Sequence, residues 1–93
     1  MKHYIIVKFK KDFDYICRID DITDIFKGVL SIDGISSVTV KKSNSDRQNR
    51  YDLMIEIDML KTALSAYDES QPHILWKEKY GSFIENKTIF DCD

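Results

Sequence analysis

The sequence predicts an α+β fold in which one antiparallel sheet carries helices on a single face. Its 93 residues are enough for one domain, spanning positions 1–93. Segments with a period of two alternate with segments of helical period, in the order β-α-β-β-α-β. Two of the strands carry an uninterrupted apolar row on one face. Strands split around helices in this order are typical of a ferredoxin-like sandwich.

Composition places the chain among ordinary globular proteins. A hydrophobic fraction of 43% and a charged fraction of 32% exclude a disordered or membrane-spanning chain. The net charge of −2 argues against a nucleic-acid partner, because such binders usually carry a basic excess. Cys17 and Cys92 lack the spacing of a zinc or redox site, and no signal-peptide pattern opens the sequence. We therefore expect a cytoplasmic protein with reduced thiols, no membrane or nucleic-acid partner, and no metal or other cofactor.

The first strand is predicted over HYIIVKFK, residues 3–10. One of its faces carries His3, Ile5, Val7 and Phe9, and the other carries Tyr4, Ile6, Lys8 and Lys10. The first face is apolar except for the histidine, so it should point toward the helices.

The first helix follows, and Asp14 is expected to cap its N-terminus. Apolar side chains recur at steps of three or four residues: Tyr15, Ile19, Ile22, Ile25, Phe26 and Val29. Gly28 inside this pattern costs about 1 kcal/mol relative to alanine, so it is expected to permit a close contact. Asp33-Gly34 should end the element.

The rest of the chain supplies three strands and two helical pieces. ISSVTVKK (35–42) and YDLMIEIDM (51–59) read as strands around the polar loop SNSDRQNR (43–50). LKTALSAY (60–67) and HILWKEKYGSFI (73–84) have helical character, and Pro72 favours a break between them. KTIFDC (87–92) is the final strand. Lys41, Lys42, Arg47 and Arg50 flank the polar loop, which reads first as a solvated loop and alternatively as a phosphate site.

The sheet face turned away from the helices is more apolar than a solvated face should be. It carries Tyr4, Ile6 and Met54 among its charged residues. Pairing of two such faces in a homodimer would explain this composition.

Four segments, in order and spacing, resemble the stress-responsive α/β barrel (Dabb) family. KHYIIVKFK resembles its opening strand, and YDLMIEID resembles its third strand. The distance from Lys8 to Ile35 matches the family without a gap. AYDESQPHILWKEKY resembles the family signature of tyrosine, two variable residues, His-Pro, one variable residue, and a second histidine with an aromatic three later. The chain departs from this pattern where the His-Pro pair falls on Ser70-Gln71 and the proline stands at Pro72.

This resemblance implies a dimeric α+β barrel with a small-molecule pocket between sheet and helices. In a polyketide-cyclase branch of the family, a first-strand histidine, the second signature histidine and the tyrosine serve an aldol-type ring closure. Those positions are His3, His73 and Tyr67, which are the candidate catalytic residues here. The expected pocket lining comprises Ile5, Val7, Ile22, Ile25, Ile55, Ile57 and Trp76.

Each candidate also has a structural interpretation. His73 is either a general base near neutral pH or a helix-start histidine that holds a backbone carbonyl. His3 is either catalytic or a hydrogen-bonded core residue, and Trp76 fits the core. A cation on the carbonyls near Ile32, at the end of the first helix, is a weaker hypothesis.

Three functions remain in order of preference. The first is a homodimeric protein that binds a small apolar molecule without known chemistry. The second is an acid–base enzyme acting on a carbonyl compound through His73, Tyr67 and His3. A haem-degrading monooxygenase of the same fold ranks last, because no asparagine stands on the first strand.

Overall fold

A computed structural model describes residues 1–93. The strands are β1 (Lys2–Phe9), β2 (Ile35–Lys42), β3 (Leu53–Met59) and β4 (Ile84–Cys92). The helices are α1 (Ile19–Lys27), α2 (Leu64–Asp68) and α3 (Gln71–Tyr80). Short 3-10 turns extend α1 at both ends, over Ile16–Arg18 and Gly28–Ser31, and precede α2 and β4 at Lys61–Ala63 and Gly81–Phe83.

The four strands form one antiparallel sheet in the order β2-β3-β1-β4. Strand β1 lies between β3 and β4, so His3 is opposite Ile57 on one side and Asp91 on the other. This is the ferredoxin-like topology that the sequence predicted, and the class prediction is confirmed.

The core lies between one face of this sheet and the helices. Strands β1 and β3 bury every second side chain on that face. The largest side chains packed against them come from the helices, namely Phe26, Tyr67, Trp76 and Tyr80. The predicted apolar rows of β1 and β3 therefore point toward the helices, as expected, and all helices lie on one side of the sheet.

The opposite face of the sheet is partly apolar. Tyr4, Ile6 and Met54 are half-buried there, and Phe90 on β4 joins them with 58% of its surface exposed. The rings of Tyr4 and Phe90 lie 6.4 Å apart between centroids. The edge strand β4 thus adds an aromatic side chain to the surface that the sequence predicted for dimerisation.

The start of the first helical region differs from the prediction. Asp14 does not cap it, because no side chain accepts a cap hydrogen bond there. The backbone carbonyl of Asp14 instead accepts a hydrogen bond from the Cys17 thiol at 3.2 Å. A tight 3-10 turn begins the first helical region, and the Asp14 side chain takes no part in its hydrogen bonds.

The break between α2 and α3 lies near the predicted position. Ser70 caps α3, and its Oγ accepts a hydrogen bond from the His73 backbone N–H at 3.4 Å. Helix α3 begins at Gln71, two residues before the predicted start, because Pro72 is accommodated in the first turn where no N–H is needed. At the end of the first helical region, after the 3-10 turn Gly28–Ser31, Gly34 adopts a φ of 92°, as expected for a terminating glycine.

Two further features bear on the sequence-based expectations. Cys17 and Cys92 are free cysteines, as predicted. None of the helices has both the length and the apolar character that crossing a membrane would require.

Candidate functional site

A cleft of about 330 Å³ opens between the β1–β4 half of the sheet and helices α2 and α3. Strands β1 and β4 form one wall, and the two helices form the other. Its lining comprises His3, Ile5, Leu64, Tyr67, Asp68, His73, Trp76, Lys87, Ile89 and Asp91. The structure therefore brings together all three candidate catalytic residues, His3, Tyr67 and His73.

His3 forms a close pair with Asp91. The antiparallel register places the two residues side by side, and His3 Nδ1 lies 2.5 Å from Asp91 Oδ1. His3 is 5% exposed, whereas the Asp91 side chain is 39% exposed, so the pair spans from the core to the surface. A carboxylate accepts the Nδ1–H, which leaves Nε2 as the acceptor nitrogen of a neutral His3 ring.

Tyr67 lies between the two histidines. Its ring centroid is 5.4 Å from that of His3, in an edge-on arrangement, and 4.8 Å from that of His73. The side chain is 1% exposed, and the buried hydroxyl has no hydrogen-bond partner within the protein. Burial, followed by the charge of Asp68, raises the pKa of Tyr67 well above its ordinary value. The hydroxyl therefore stays neutral and can donate a hydrogen bond.

His73 is oriented by a backbone carbonyl. Its Nδ1 lies 2.9 Å from the Asp68 carbonyl oxygen, which can only accept a hydrogen bond. Nδ1 therefore carries the proton, and Nε2 of the neutral ring keeps a lone pair. The contact agrees with the interpretation of His73 as a helix-start histidine that holds a backbone carbonyl. It also defines a tautomer that is suited to a general base.

The expected pocket lining divides into two groups. Ile5 and Trp76 line the cleft. Five others are packed in the closed core between sheet and helices and do not reach the cleft: Val7, Ile22, Ile25, Ile55 and Ile57. Pro72 also lies outside the lining and packs against Gly28. The branched side chains fill the centre of the molecule, so the open space is confined to the edge beside β4.

Sequence reasoning missed the contribution of β4. Lys87, Ile89 and Asp91 line the cleft, and they alternate with Thr88 and Phe90 on the other face. The alternation in KTIFDC could have indicated this contribution, since it places the charged residues Lys87 and Asp91 on the side that faces the helices. Leu64 and Asp68 on α2 were also missed.

The structure offers little to a metal ion. No group of three histidine, cysteine, aspartate or glutamate residues is close enough to hold one. The Ile32 carbonyl, close to the expected cation position, accepts a hydrogen bond from the Ile35 N–H at 3.1 Å. The cation site stays a prediction.

Comparison with known proteins identifies the fold. No family model and no curated protein matches the chain. Among solved structures, a dimeric protein of unknown function with a ferredoxin-like fold from Bacteroides fragilis has a TM-score of 0.81 at 12% identity, over 99% of this chain and 93% of that one. A Dabb family protein with a ferredoxin-like fold from Mesorhizobium loti has a TM-score of 0.72 at 14% identity, covering 99% and 93%. A hydroxynitrile lyase from Passiflora edulis has a TM-score of 0.72 at 13% identity, covering 96% and 87%.

The chain therefore has the ferredoxin-like α+β fold of these proteins. The fold resemblance to the Dabb family, inferred from four sequence segments, is confirmed by a solved structure of that family. Because the sequence identities are low, the likeness establishes the fold alone.

Proposed function

We propose that the protein is a homodimer that binds a small, mainly apolar molecule bearing a carbonyl oxygen in the cleft beside β4. The observation that carries the proposal is the Tyr67 hydroxyl, which is buried and has no hydrogen-bond partner within the protein. A buried polar group without a partner costs about 1–3 kcal/mol. A ligand carbonyl that accepts its hydrogen bond would offset this cost.

The remaining lining supports a ligand that is otherwise apolar. Ile5, Leu64, Trp76 and Ile89 supply the apolar surface around the tyrosine and the two histidines. A volume of about 330 Å³ lies at the lower end of the ~300–1,000 Å³ typical of ligand pockets. The ligand should therefore be small, with one end in contact with water at the exposed side of β4.

Self-association is supported by the half-buried outer face of the sheet, which carries Tyr4, Ile6, Met54 and the exposed Phe90. The Bacteroides fragilis structure with the same fold is described as dimeric. The free thiols of Cys17 and Cys92 favour a reducing compartment, such as the cytoplasm.

A matched pair of probes tests the ligand proposal. Acetophenone and ethylbenzene have similar size and shape, but only acetophenone has a carbonyl. Ligand-observed NMR should detect acetophenone binding with a several-fold preference over ethylbenzene, since one hydrogen bond contributes roughly 0.5–1.5 kcal/mol. The preference should disappear in Tyr67→Phe. Equal binding of both probes by the natural protein would contradict the role of the hydroxyl.

Acid–base chemistry is the second candidate, and the orientation of the two imidazoles favours it. His73 and His3 each have Nδ1 engaged, by the Asp68 carbonyl and the Asp91 carboxylate respectively. Each neutral ring thus keeps Nε2 available to take a proton from the carbon next to a carbonyl, while Tyr67 stabilises the resulting enolate oxygen. In D₂O, the protein should then speed deuterium uptake at the acetophenone methyl group, and His73→Ala should remove this effect. Binding without exchange would leave only the ligand-binding function.

Haem degradation stays the least favoured alternative. Nothing in the cleft favours haem over a smaller molecule. Titration with haem, followed by absorbance, would test it directly, and a Soret shift lost in His73→Ala would favour it over both other functions.

A further inference from the structure

A second cleft, of about 440 Å³, lies at the other end of β1. The end of β1, the connection to α1 and the polar loop after β2 form its walls. Its lining comprises Lys8, Lys11, Tyr15, Ile16, Lys42, Ser43, Asn44, Ser45, Asp46, Arg47, Gln48 and Asp52. We call it the basic cleft, and it shares no lining residue with the cleft beside β4.

The basic cleft has an excess of positive charge. Four of its lining residues are cations, namely Lys8, Lys11, Lys42 and Arg47, whereas two are acids, Asp46 and Asp52. None of the four cations forms an ion pair within 4.0 Å; the ion pairs of the protein involve Met1, Lys2, His3 and Lys79. The excess is local, because the whole chain has a net charge of −2.

Lys8 fixes the position of the loop while keeping its charge. Its Nζ donates hydrogen bonds to the carbonyl oxygens of Gln48, at 2.8 Å, and Arg50, at 3.0 Å. Carbonyl groups are neutral, so these bonds order the polar loop without neutralising the ammonium group. Arg47 belongs to the loop that these bonds order, and it lines the same cleft as Lys8.

One of the two acids is already engaged. Asp52 Oδ2 accepts a hydrogen bond from the Phe9 backbone N–H at 2.8 Å, and this bond connects the residue just before β3 to the end of β1. Burial, and to a smaller extent the charge of Asp52, raises the pKa of Tyr15, so the Tyr15 hydroxyl stays a neutral donor. The lining thus carries four cations against two acids, one of which already accepts a hydrogen bond from the protein.

From this arrangement we infer that the basic cleft binds the phosphate group of a small phosphorylated molecule. Guanidinium and ammonium groups form short, charge-assisted hydrogen bonds with phosphate oxygens. Arg47 can form bidentate hydrogen bonds with a phosphate group, and Lys11 and Lys42 act as point charges. The inference does not depend on the function proposed for the other cleft.

The experiment is a titration with sodium pyrophosphate at constant ionic strength, followed by amide NMR of the full chain. We expect saturable shifts confined to the segments around Lys8–Lys11 and Lys42–Gln48. The variant Lys42→Gln/Arg47→Gln should weaken binding by about tenfold or more, because it removes two charge-assisted contacts. Both positions are exposed, so the fold should be retained, and the amide spectrum checks this directly.

A charge-matched control separates a site from general electrostatics. Lys61→Gln/Lys77→Gln removes two exposed cations that also lack ion pairs, and it should leave pyrophosphate affinity within about twofold. The inference is overturned if shifts do not saturate, if they scatter over all lysines, or if both double variants weaken binding equally.

Vesicles distinguish the two sources of such a phosphate. If a lipid headgroup is the ligand, the protein should sediment with vesicles containing phosphatidylinositol 4-phosphate, and pyrophosphate should release it. If the ligand is a free phosphorylated molecule, pyrophosphate should bind while the vesicles do not. Both results support the phosphate site, whereas failure of both probes to bind refutes it.

Discussion

Gly28 and Pro72 are in close contact at the point where the end of α1 meets the start of α3. A Cβ atom added at Gly28 would lie 2.9 Å from Pro72 Cγ. The φ angle of Gly28 is −61°, an ordinary helical value, so the glycine is needed for space and not for backbone conformation. The proline of the signature segment thus sets the separation of the two helices.

Gly28→Ala should therefore destabilise the protein. Overpacking costs about 1–3 kcal/mol, which outweighs the gain of up to about 1 kcal/mol in helix propensity. Gly81→Ala is the matched control, because a Cβ there meets nothing within 4 Å. It should be neutral or slightly stabilising in urea denaturation. Pro72→Ala combined with Gly28→Ala should recover part of the loss, and its failure to do so would exclude the contact as the cause.

Tyr67→Phe should stabilise the free protein by about 1 kcal/mol, since it removes a buried hydroxyl without a partner and keeps the ring contacts with both histidines. Tyr51→Phe provides the comparison, because the Tyr51 hydroxyl bonds Thr88 Oγ1 at 2.9 Å. That change should not raise stability. A marked loss of stability in Tyr67→Phe would mean that the hydroxyl has a structural partner. The expected gain in stability would come with a loss of ligand binding, because functional groups are often retained at the expense of stability.

Asp21 should make stability depend on pH in the acid range. Hydrogen bonds from Lys79, at 2.8 Å, and from Tyr80 lower the Asp21 pKa below its ordinary value of 3.8. A depressed folded-state pKa gives stability that is present above the unfolded value and is lost as pH falls through the folded value. Asp21→Asn should reduce the free energy of unfolding at pH 7 by less than about 1 kcal/mol, because the carboxylate is 41% exposed.

The difference between Asp21→Asn and the natural protein should shrink below the ordinary pKa and vanish in stronger acid. Denaturation midpoints measured from neutral pH to strongly acidic pH check this. A difference that is constant across the range would assign the effect to packing. The pKa of Tyr80, raised to about 12 mainly by burial and then by Asp21, means that its hydroxyl remains the donor throughout.

Ile6→Glu should convert the proposed dimer into a monomer without unfolding it. A standard interface buries about 1,600 Å² in total, and its centre excludes unpaired charge. Ile6 is half-buried on the outer face of the sheet, so a single chain can accommodate the change. Light scattering at micromolar concentration should give twice the chain mass for the natural protein and for the control Ile16→Glu, whose site is 58% exposed and lies on the opening turn of the helical region. A natural protein of single-chain mass would refute the dimer.

Period-two alternation made the sheet predictable, because β1 and β3 bury every second side chain and leave the side chains between them half-buried. The start of the first helical region was less predictable, since it opens with a 3-10 turn in which the side chain of the expected cap, Asp14, accepts no cap hydrogen bond. The meeting of His3, Tyr67 and His73 followed from the family resemblance. The pairing of His3 with Asp91 did not, because it depends on the strand register between residues at opposite ends of the sequence. Core packing also decides which apolar residues line open space, and for that reason Val7 and Ile55 lie in the core instead.

The same separation of His3 and Asp91, 88 positions along the chain, has a consequence for the order of folding. Joining β1 to β4 closes a loop of nearly the whole chain, and contacts of such long range are slow to form because loop entropy is lost first. The wall of the cleft is therefore complete only when the last strand has paired. A molecule that binds only the completed cleft should therefore stabilise the chain with the last strand paired, and this stabilisation grows with the logarithm of ligand concentration above the Kd.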